Sequence, residues 1–365
     1  MRVRTVPAAV AAVLLLAAGC SSTTSPAPGG STATGPGTVR VTGQVADGLD
    51  TPWGIAVLPG GDLLVGSRDT GRITRIAADG GARTDVGEVP GVAAAGEGGL
   101  LGLAVSPHYA TDHQVYAYFT AADDNRIVRL GYDPQQPPGQ QLGAPAVLLK
   151  GIPKGSNHDG GRIAFGPDGM LYAGTGEAGR TELAQDLSSL GGKILRMTPD
   201  GAPAPGNPFP GSVVYTLGHR NVQGLAWDAQ GRLWASEFGQ NTWDELNLIT
   251  PGANYGWPVV EGQGHRAGYT DPLAQWHTDQ ASPSGIAYAD GAIWMAALHG
   301  MRLWRIPVEG DHVSGTPQDH FTGRYGRLRT VVADGPGTLL LATSNTDGRG
   351  QPSAGDDRIL RLAVG

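Results

Sequence analysis

The chain has 365 residues, of which 59 are glycine and one is cysteine, a composition too glycine-rich for a helical protein and one that excludes disulfide scaffolds, Cys-ligated zinc and Cys-held clusters. Hydrophobic residues supply 40% of the chain and aromatics 6%, enough apolar surface for a large core, so most of it must fold. The formal net charge of −7 is spread without blocks and gives no reason to expect nucleic acid as a partner.

The chain opens with Arg2 and Arg4 followed by the apolar run Val10-Ala11-Ala12-Val13-Leu14-Leu15-Leu16, too short to span a membrane stably. The run ends in Leu16-Ala17-Ala18-Gly19-Cys20, which resembles a bacterial lipoprotein lipobox. Residues 1–19 are accordingly expected to be a signal peptide and Cys20 the lipidated residue, anchoring the chain on the extracytoplasmic side of the membrane. Residues 20–39 are rich in Ser, Thr, Pro and Gly and predict a flexible tether.

From residue 40 a repeat takes over. Apolar strands separated by polar Gly or Asp turns recur six times: Trp53–Pro59 with Asp62–Gly66, Leu101–Val105 with Val115–Phe119, Gly161–Gly166 with Met170–Gly174, Gln223–Trp227 with Arg232–Ser236, Ser284–Tyr288 with Ala292–Ala296, and Arg329–Ala333 with Thr338–Ala342. A later strand in most repeats reads Arg-(Ile/Leu)-x-Arg-(Ile/Leu), as in Arg72–Ile76 and Arg358–Leu362. Such strands cannot bury a face singly, but they can when stacked radially. The prediction over residues 40–365 is an all-β, six-bladed β-propeller of four-stranded antiparallel blades, with one short turn near Ala184–Leu187.

Four loops carry chemistry. Ser156-Asn157-His158-Asp159-Gly160-Gly161-Arg162 presents a histidine that fits either a structural or a catalytic role. Gly218-His219-Arg220-Asn221 sets a guanidinium fork beside an amide, suited to carbonyl and carboxylate oxygens or to a contact between blades. Ser236 to Asn247, running on to Asn254-Tyr255-Gly256-Trp257-Pro258, crowds carboxylates, amides and Gly-exposed carbonyls, the oxygen-rich chemistry calcium prefers, although the spacing is not that of an EF-hand. Arg327-Leu328-Arg329 places two guanidinium groups on one face of a strand by alternation, at a surface or a ligand.

With these motifs in hand, residues 45–362 resemble the soluble glucose dehydrogenase family, also called glucose/sorbosone or aldose sugar dehydrogenases, which use pyrroloquinoline quinone. The resemblance rests on Glu97-Gly98-Gly99-Leu100-Leu101-Gly102, Asn157-His158 with Gly161-Arg162, Gly218-His219-Arg220-Asn221 with Gln223-Gly224-Leu225-Ala226, and Asp244–Ile249 leading to Asn254–Pro258. It implies that His158 is the general base on the sugar C1 hydroxyl, that Glu177 orients it where the family commonly has Asp, and that Arg220 stabilises the quinone oxygen. It implies cofactor contacts from Glu97, Asn157, Asn221, His299, Arg327 and Arg329. Carbonyls of Gly239 and Gln240 align with those that hold the cofactor's calcium, and Asp244, Glu245 and Tyr255 are implied for a second, structural one.

Two positions depart from the family. Glu97 stands where a glutamine is common, and His299, placed in the strand before Arg302, stands where a lysine is common; both changes make the pocket less positive. The expected function is oxidation of aldoses to lactones, with electrons passing to an external quinone or small redox carrier. The alternative is a non-catalytic, lipid-anchored propeller that binds a glycan or a protein. A calcium-dependent lactonase-like hydrolase is disfavoured, because these loops offer arginines rather than a Glu, Asn and Asp cluster on the axis.

Overall fold

Four of the six innermost strands carry a glycine at their third residue, and packing around the propeller axis shows why. A Cβ on Gly54 would lie 2.4 Å from the carbonyl oxygen of Leu101, and one on Gly102 would lie 2.2 Å from that of Gly161. Only glycine lets neighbouring inner strands approach this closely. The computed structural model describes residues 37–365. The predicted signal peptide, Cys20 and the tether as far as residue 36 lie outside the described residues.

The alternating segments form antiparallel sheets whose innermost strands are Pro52–Val57, Leu100–Val105, Ile163–Phe165, Val222–Trp227, Pro283–Ala289 and Leu328–Ala333. These six neighbour one another in cyclic order, giving the six-bladed propeller expected from the repeat. In the fifth blade the outer position is taken by two short strands, His312–Val313 and Gln318–His320, which both pair with Arg302–Glu309. The last blade is completed by the N-terminal strand Val39–Ala46, which pairs with Ile359–Val364 from Val39 opposite Val364 to Ala46 opposite Ile359. This closure joins the ends of the propeller within one sheet and moves the tether boundary, since Val39 is already in strand.

Six clusters of buried apolar side chains form the core, each where two adjoining blades face one another. Trp53, Trp234 and Trp294 are among the largest fully buried groups. The indole N–H of Trp294 still donates to the Ala289 carbonyl at 3.1 Å, as a buried polar group must. The expected turn near Ala184 is a 3-10 helix at Thr181–Ala184, and a one-turn helix at Tyr109–Asp112 had no signal in the sequence. Antiparallel pairing brings the start of every innermost strand to the same end of the ring as the end of its partner strand. The four chemically rich loops therefore gather at one mouth of the central channel.

Candidate active site

His158 lies in the loop that enters the third blade, with a backbone φ of +59°, in the left-handed region that few non-glycine residues occupy. Its main chain is held on both sides. The His158 N–H donates to Glu97 Oε2 at 3.0 Å, and its carbonyl accepts the Ala178 N–H at 3.1 Å. The ring Nδ1 is 2.9 Å from both carboxylate oxygens of Glu177, whose side chain is only 1% exposed. Glu177 is fixed in turn by the Gly179 N–H at 2.8 Å. A carboxylate at Nδ1 selects the tautomer protonated there and leaves Nε2 as the unprotonated, accepting nitrogen of the ring. Asn157 Nδ2 sits 3.3 Å from Nε2.

Asn157, His158, Arg220, Asn221, Gly239, Gln240 and Asp244 line one cavity of about 240 Å³, together with Glu97 and His299. Asn221 is buried, and its carbonyl oxygen accepts the Gly160 N–H at 3.0 Å, tying the fourth blade to the His158 loop. Among the described residues Arg220 makes one long hydrogen bond from its guanidinium, to the Phe238 carbonyl at 3.4 Å, and its buried Nε has no partner. Its guanidinium carbon lies 5.6 Å from the Trp257 ring centroid. Burial lowers the Arg220 pKa, with Glu177 the largest opposing influence. A buried donor left unsatisfied is costly, so Arg220 Nε marks a place for an acceptor from a ligand.

A second cavity of about 350 Å³ shares Glu97, Phe238, Ser282, His299 and Arg349 with the first and extends to Arg327 and Arg329. Both arginines converge on Asp347 Oδ2, Arg327 at 2.9 Å and Arg329 at 3.2 Å, so one carboxylate serves two guanidinium groups. Burial is the largest influence on Asp347 and acts upward, but Arg329 and Arg327 outweigh it and lower its pKa. Arg329 is buried, and desolvation pulls its pKa down to about 10. Arg68 joins from the first blade, bonded to Asp69 at 2.6 Å and reaching the Asp347 carbonyl at 3.4 Å. The remaining Glu97 oxygen pairs with Arg349 at 2.8 Å, so Glu97 does not simply subtract from the positive charge of the site. Asp347, Arg68 and Arg349 carry no motif signal in the sequence, because each takes its meaning from a partner far along the chain or on a neighbouring strand: Asp347 from Arg327 and Arg329 within its own blade, Arg68 from Asp347, and Arg349 from Glu97.

His299 lies in the connection between Ala292–Ala297 and Arg302–Glu309, not in the strand where the sequence reading placed it. There its ring Nδ1 is 3.2 Å from the Thr278 carbonyl while the residue faces both cavities.

The loop expected to hold calcium is organised around carboxylates. Glu261 Oε1, also missed in the sequence, accepts the N–H groups of Gln240, Asn241, Thr242 and Trp243 at 2.8 to 3.3 Å. Asp244 accepts the Gly239 N–H at 2.9 Å and the Ser282 N–H at 2.5 Å, and burial pushes its pKa up to about 6. These contacts occupy the Gly239 and Gln240 N–H groups, and among the described residues no donor reaches either carbonyl oxygen. Glu245 is bonded to the Gly262 N–H at 2.7 Å and to Asn247 at 3.2 Å. Burial, reinforced by nearby Glu237, raises its pKa far above the usual carboxylate range. The Tyr255 hydroxyl donates to the Leu248 carbonyl at 2.6 Å and accepts the Thr250 N–H at 2.9 Å, which leaves only its main-chain oxygen for a metal. Among the described residues no group of three or more His, Cys, Asp and Glu is arranged to hold a metal ion.

A histidine backed by a carboxylate, opening into a cavity that continues to a cluster of arginines, defines a propeller built to bind an anionic or carbonyl-bearing ligand and to move a proton beside it. The chain belongs to the glucose/sorbosone dehydrogenase family, whose profile matches residues 49–360, and is an oxidoreductase of that family. It is similar to the aldose sugar dehydrogenase of Streptomyces coelicolor, solved in its PQQ-bound form. The two are 66% identical with a TM-score of 0.89, over 89% of this chain and 98% of that one. It is also similar to the Escherichia coli aldose sugar dehydrogenase YliI, 29% identical over 344 residues that cover 86% of this chain and 92% of that protein. Quinoprotein glucose dehydrogenase B of Acinetobacter calcoaceticus is 34% identical over 259 residues, 62% of this chain and 54% of that protein.

Proposed function

We propose that the protein is a pyrroloquinoline quinone-dependent aldose dehydrogenase that oxidises the C1 hydroxyl of an aldose to the lactone. The observation that carries this reading is the His158–Glu177 pair, whose unprotonated Nε2 shares a cavity with Arg220, continuous with the Arg327 and Arg329 cluster. Pyrroloquinoline quinone, when bound, supplies the acceptor for the hydride that leaves C1. The residues present fit such a group. The partnerless Nε of Arg220 offers a donor to a quinone oxygen, and Arg327 and Arg329, two cations on one carboxylate, offer charge to its carboxylates.

His158 Nε2 takes the C1 hydroxyl proton as the hydride departs, and the Glu177 carboxylate stabilises the imidazolium that results. Arg220 presents positive charge inside a desolvated cavity, where it is worth most. Calcium, held by the Gly239 and Gln240 carbonyl oxygens, would serve as Lewis acid beside it. Glu245 and the main chain of Tyr255 are the candidates for a structural ion, while Asp244 acts mainly as a loop staple. An external quinone or small redox carrier then collects the electrons. In the cell we place the domain outside the cytoplasm on a lipid carried by Cys20.

The test is reconstitution. Purified protein given pyrroloquinoline quinone and calcium should reduce an artificial dye with aldoses, and lactone should form in proportion to dye reduced. Absence of turnover with every aldose, despite stoichiometric cofactor binding, would refute the assignment.

A further inference from the structure

The loop that carries His158 is clamped by a carboxyl group that the reading above does not use. Asp159 is 2% exposed. Its Oδ1 accepts Asn125 Nδ2 at 2.9 Å and the Gly155 N–H at 3.1 Å, and its main-chain carbonyl accepts the buried Tyr118 hydroxyl at 2.8 Å. Asn125 is itself fixed, accepting the Thr120 hydroxyl at 2.6 Å and donating to the Pro153 carbonyl at 2.8 Å. One side chain thus ties both ends of the 153–159 segment to the second blade. The residue immediately before it is His158, in a left-handed backbone conformation that persists only where the surroundings over-determine it.

Asp159 Oδ2 is buried with no partner among the described residues. Burial is the largest influence on this carboxyl and raises it to about 6. The charged and titratable groups acting on it are Glu97, which raises it, and His158, which lowers it. Both clamp bonds are accepted by Oδ1, so they survive whether or not Oδ2 carries the proton.

We propose that Asp159 is the positioning residue of the site: its clamp to Asn125 and Gly155 holds His158 in the left-handed conformation that aims Nδ1 at Glu177 and Nε2 into the cavity. This rests on the reading of His158 as the base, and the test separates the two. In the reconstituted enzyme Asp159→Ala should lower kcat by about 10- to 100-fold, the cost of misplacing a reacting group by about an ångström. The aldose KM and the cofactor Kd should stay within about threefold. Asp159→Asn keeps an oxygen for both clamp donors and should restore kcat to within about threefold of wild type. In a His158→Ala background Asp159→Ala should cost less than about twofold, because the two act through one group.

A second readout needs no turnover. The hydrogen-bonded Nδ1–H proton of His158 in the cofactor-free protein should be visible by NMR in wild type and Asp159→Asn and lost in Asp159→Ala. If Asp159→Ala fails to fold, Asn125→Ala removes one of the two donors and should show the same pattern in reduced degree. Retention of the Nδ1–H resonance in folded Asp159→Ala, or an undiminished loss of kcat in the His158→Ala background, would overturn the proposal. An inactive reconstituted wild type would sink the base reading alone, and the resonance would still decide the clamp.

Discussion

Replacing Asp347 by Asn should have opposite effects on the empty and the loaded protein. Asp347 Oδ2 is the shared partner of Arg327 and Arg329 and its side chain is 1% exposed, so the substitution leaves a buried and a largely buried guanidinium group without this counter-ion. Breaking a buried ion set in this way costs about 3–5 kcal/mol. For a domain of about 330 residues the unfolding entropy converts each kcal/mol to about 1.4 °C, so the cofactor-free Tm should fall by about 4–7 °C. In the loaded protein the net charge of the triad rises from +1 to +2 facing a ligand with three carboxylates. The cofactor Kd should then tighten by about tenfold or more, the value of about one additional charge-assisted contact. Scanning calorimetry on the apo protein and titration calorimetry with pyrroloquinoline quinone measure the two halves separately. An unchanged Tm together with weaker cofactor binding would refute the reasoning, because it would make Asp347 a direct cofactor contact rather than a counter-ion.

Other substitutions probe the rest of the site. Glu177→Gln keeps an acceptor for His158 Nδ1–H but removes the charge that stabilises the imidazolium; kcat should fall by about 10- to 100-fold with cofactor affinity unchanged, and an unaltered kcat in steady-state dye reduction would contradict this. Asp244 and Glu245 have pKa values raised chiefly by burial, so between their ordinary values and their folded ones the native state binds more protons than the unfolded chain. Stability of the metal-free protein should therefore decline as pH rises from about 4 through 6 and beyond. Calcium should restore Tm most at the alkaline end, and melting curves at pH 8 that overlay with and without chelator would remove the metal from the account. His299→Lys should tighten pyrroloquinoline quinone binding by about tenfold, because it sets a permanent charge beside both cavities; an unchanged Kd in titration calorimetry would show that position 299 does not face the cofactor.

The blades were legible because their signals are local. Alternation, Gly and Asp turns, and the glycine at the third residue of four inner strands, all lie within one hairpin. Closure by Val39–Ala46 was not, since its partner Ile359–Val364 lies at the other end of the chain and nothing within the strand announces the pairing. Among the candidate residues, His158, Arg220, Arg327 and Arg329 carry a motif signal and Glu177 follows from the resemblance; the structure sets them around two adjoining cavities. Asp347 could not, because Ser344-Asn345-Thr346-Asp347-Gly348 reads as an ordinary turn and its meaning comes only from arginines on a neighbouring strand. Glu261 was hidden for the same reason, being an isolated acid whose four backbone partners belong to a different loop. His299 lies outside the strand because the chain turns over Leu298-His299-Gly300-Met301, between Ala292–Ala297 and Arg302–Glu309.

The most direct test of the account separates binding from chemistry at His158. His158→Ala should bind pyrroloquinoline quinone within about threefold of wild type by titration calorimetry, because Arg220, Arg327 and Arg329 are untouched, while kcat for aldose oxidation falls by about 10²–10⁴. A variant that keeps wild-type turnover, or one that loses turnover only in proportion to lost cofactor, would contradict the assignment of His158 as the base.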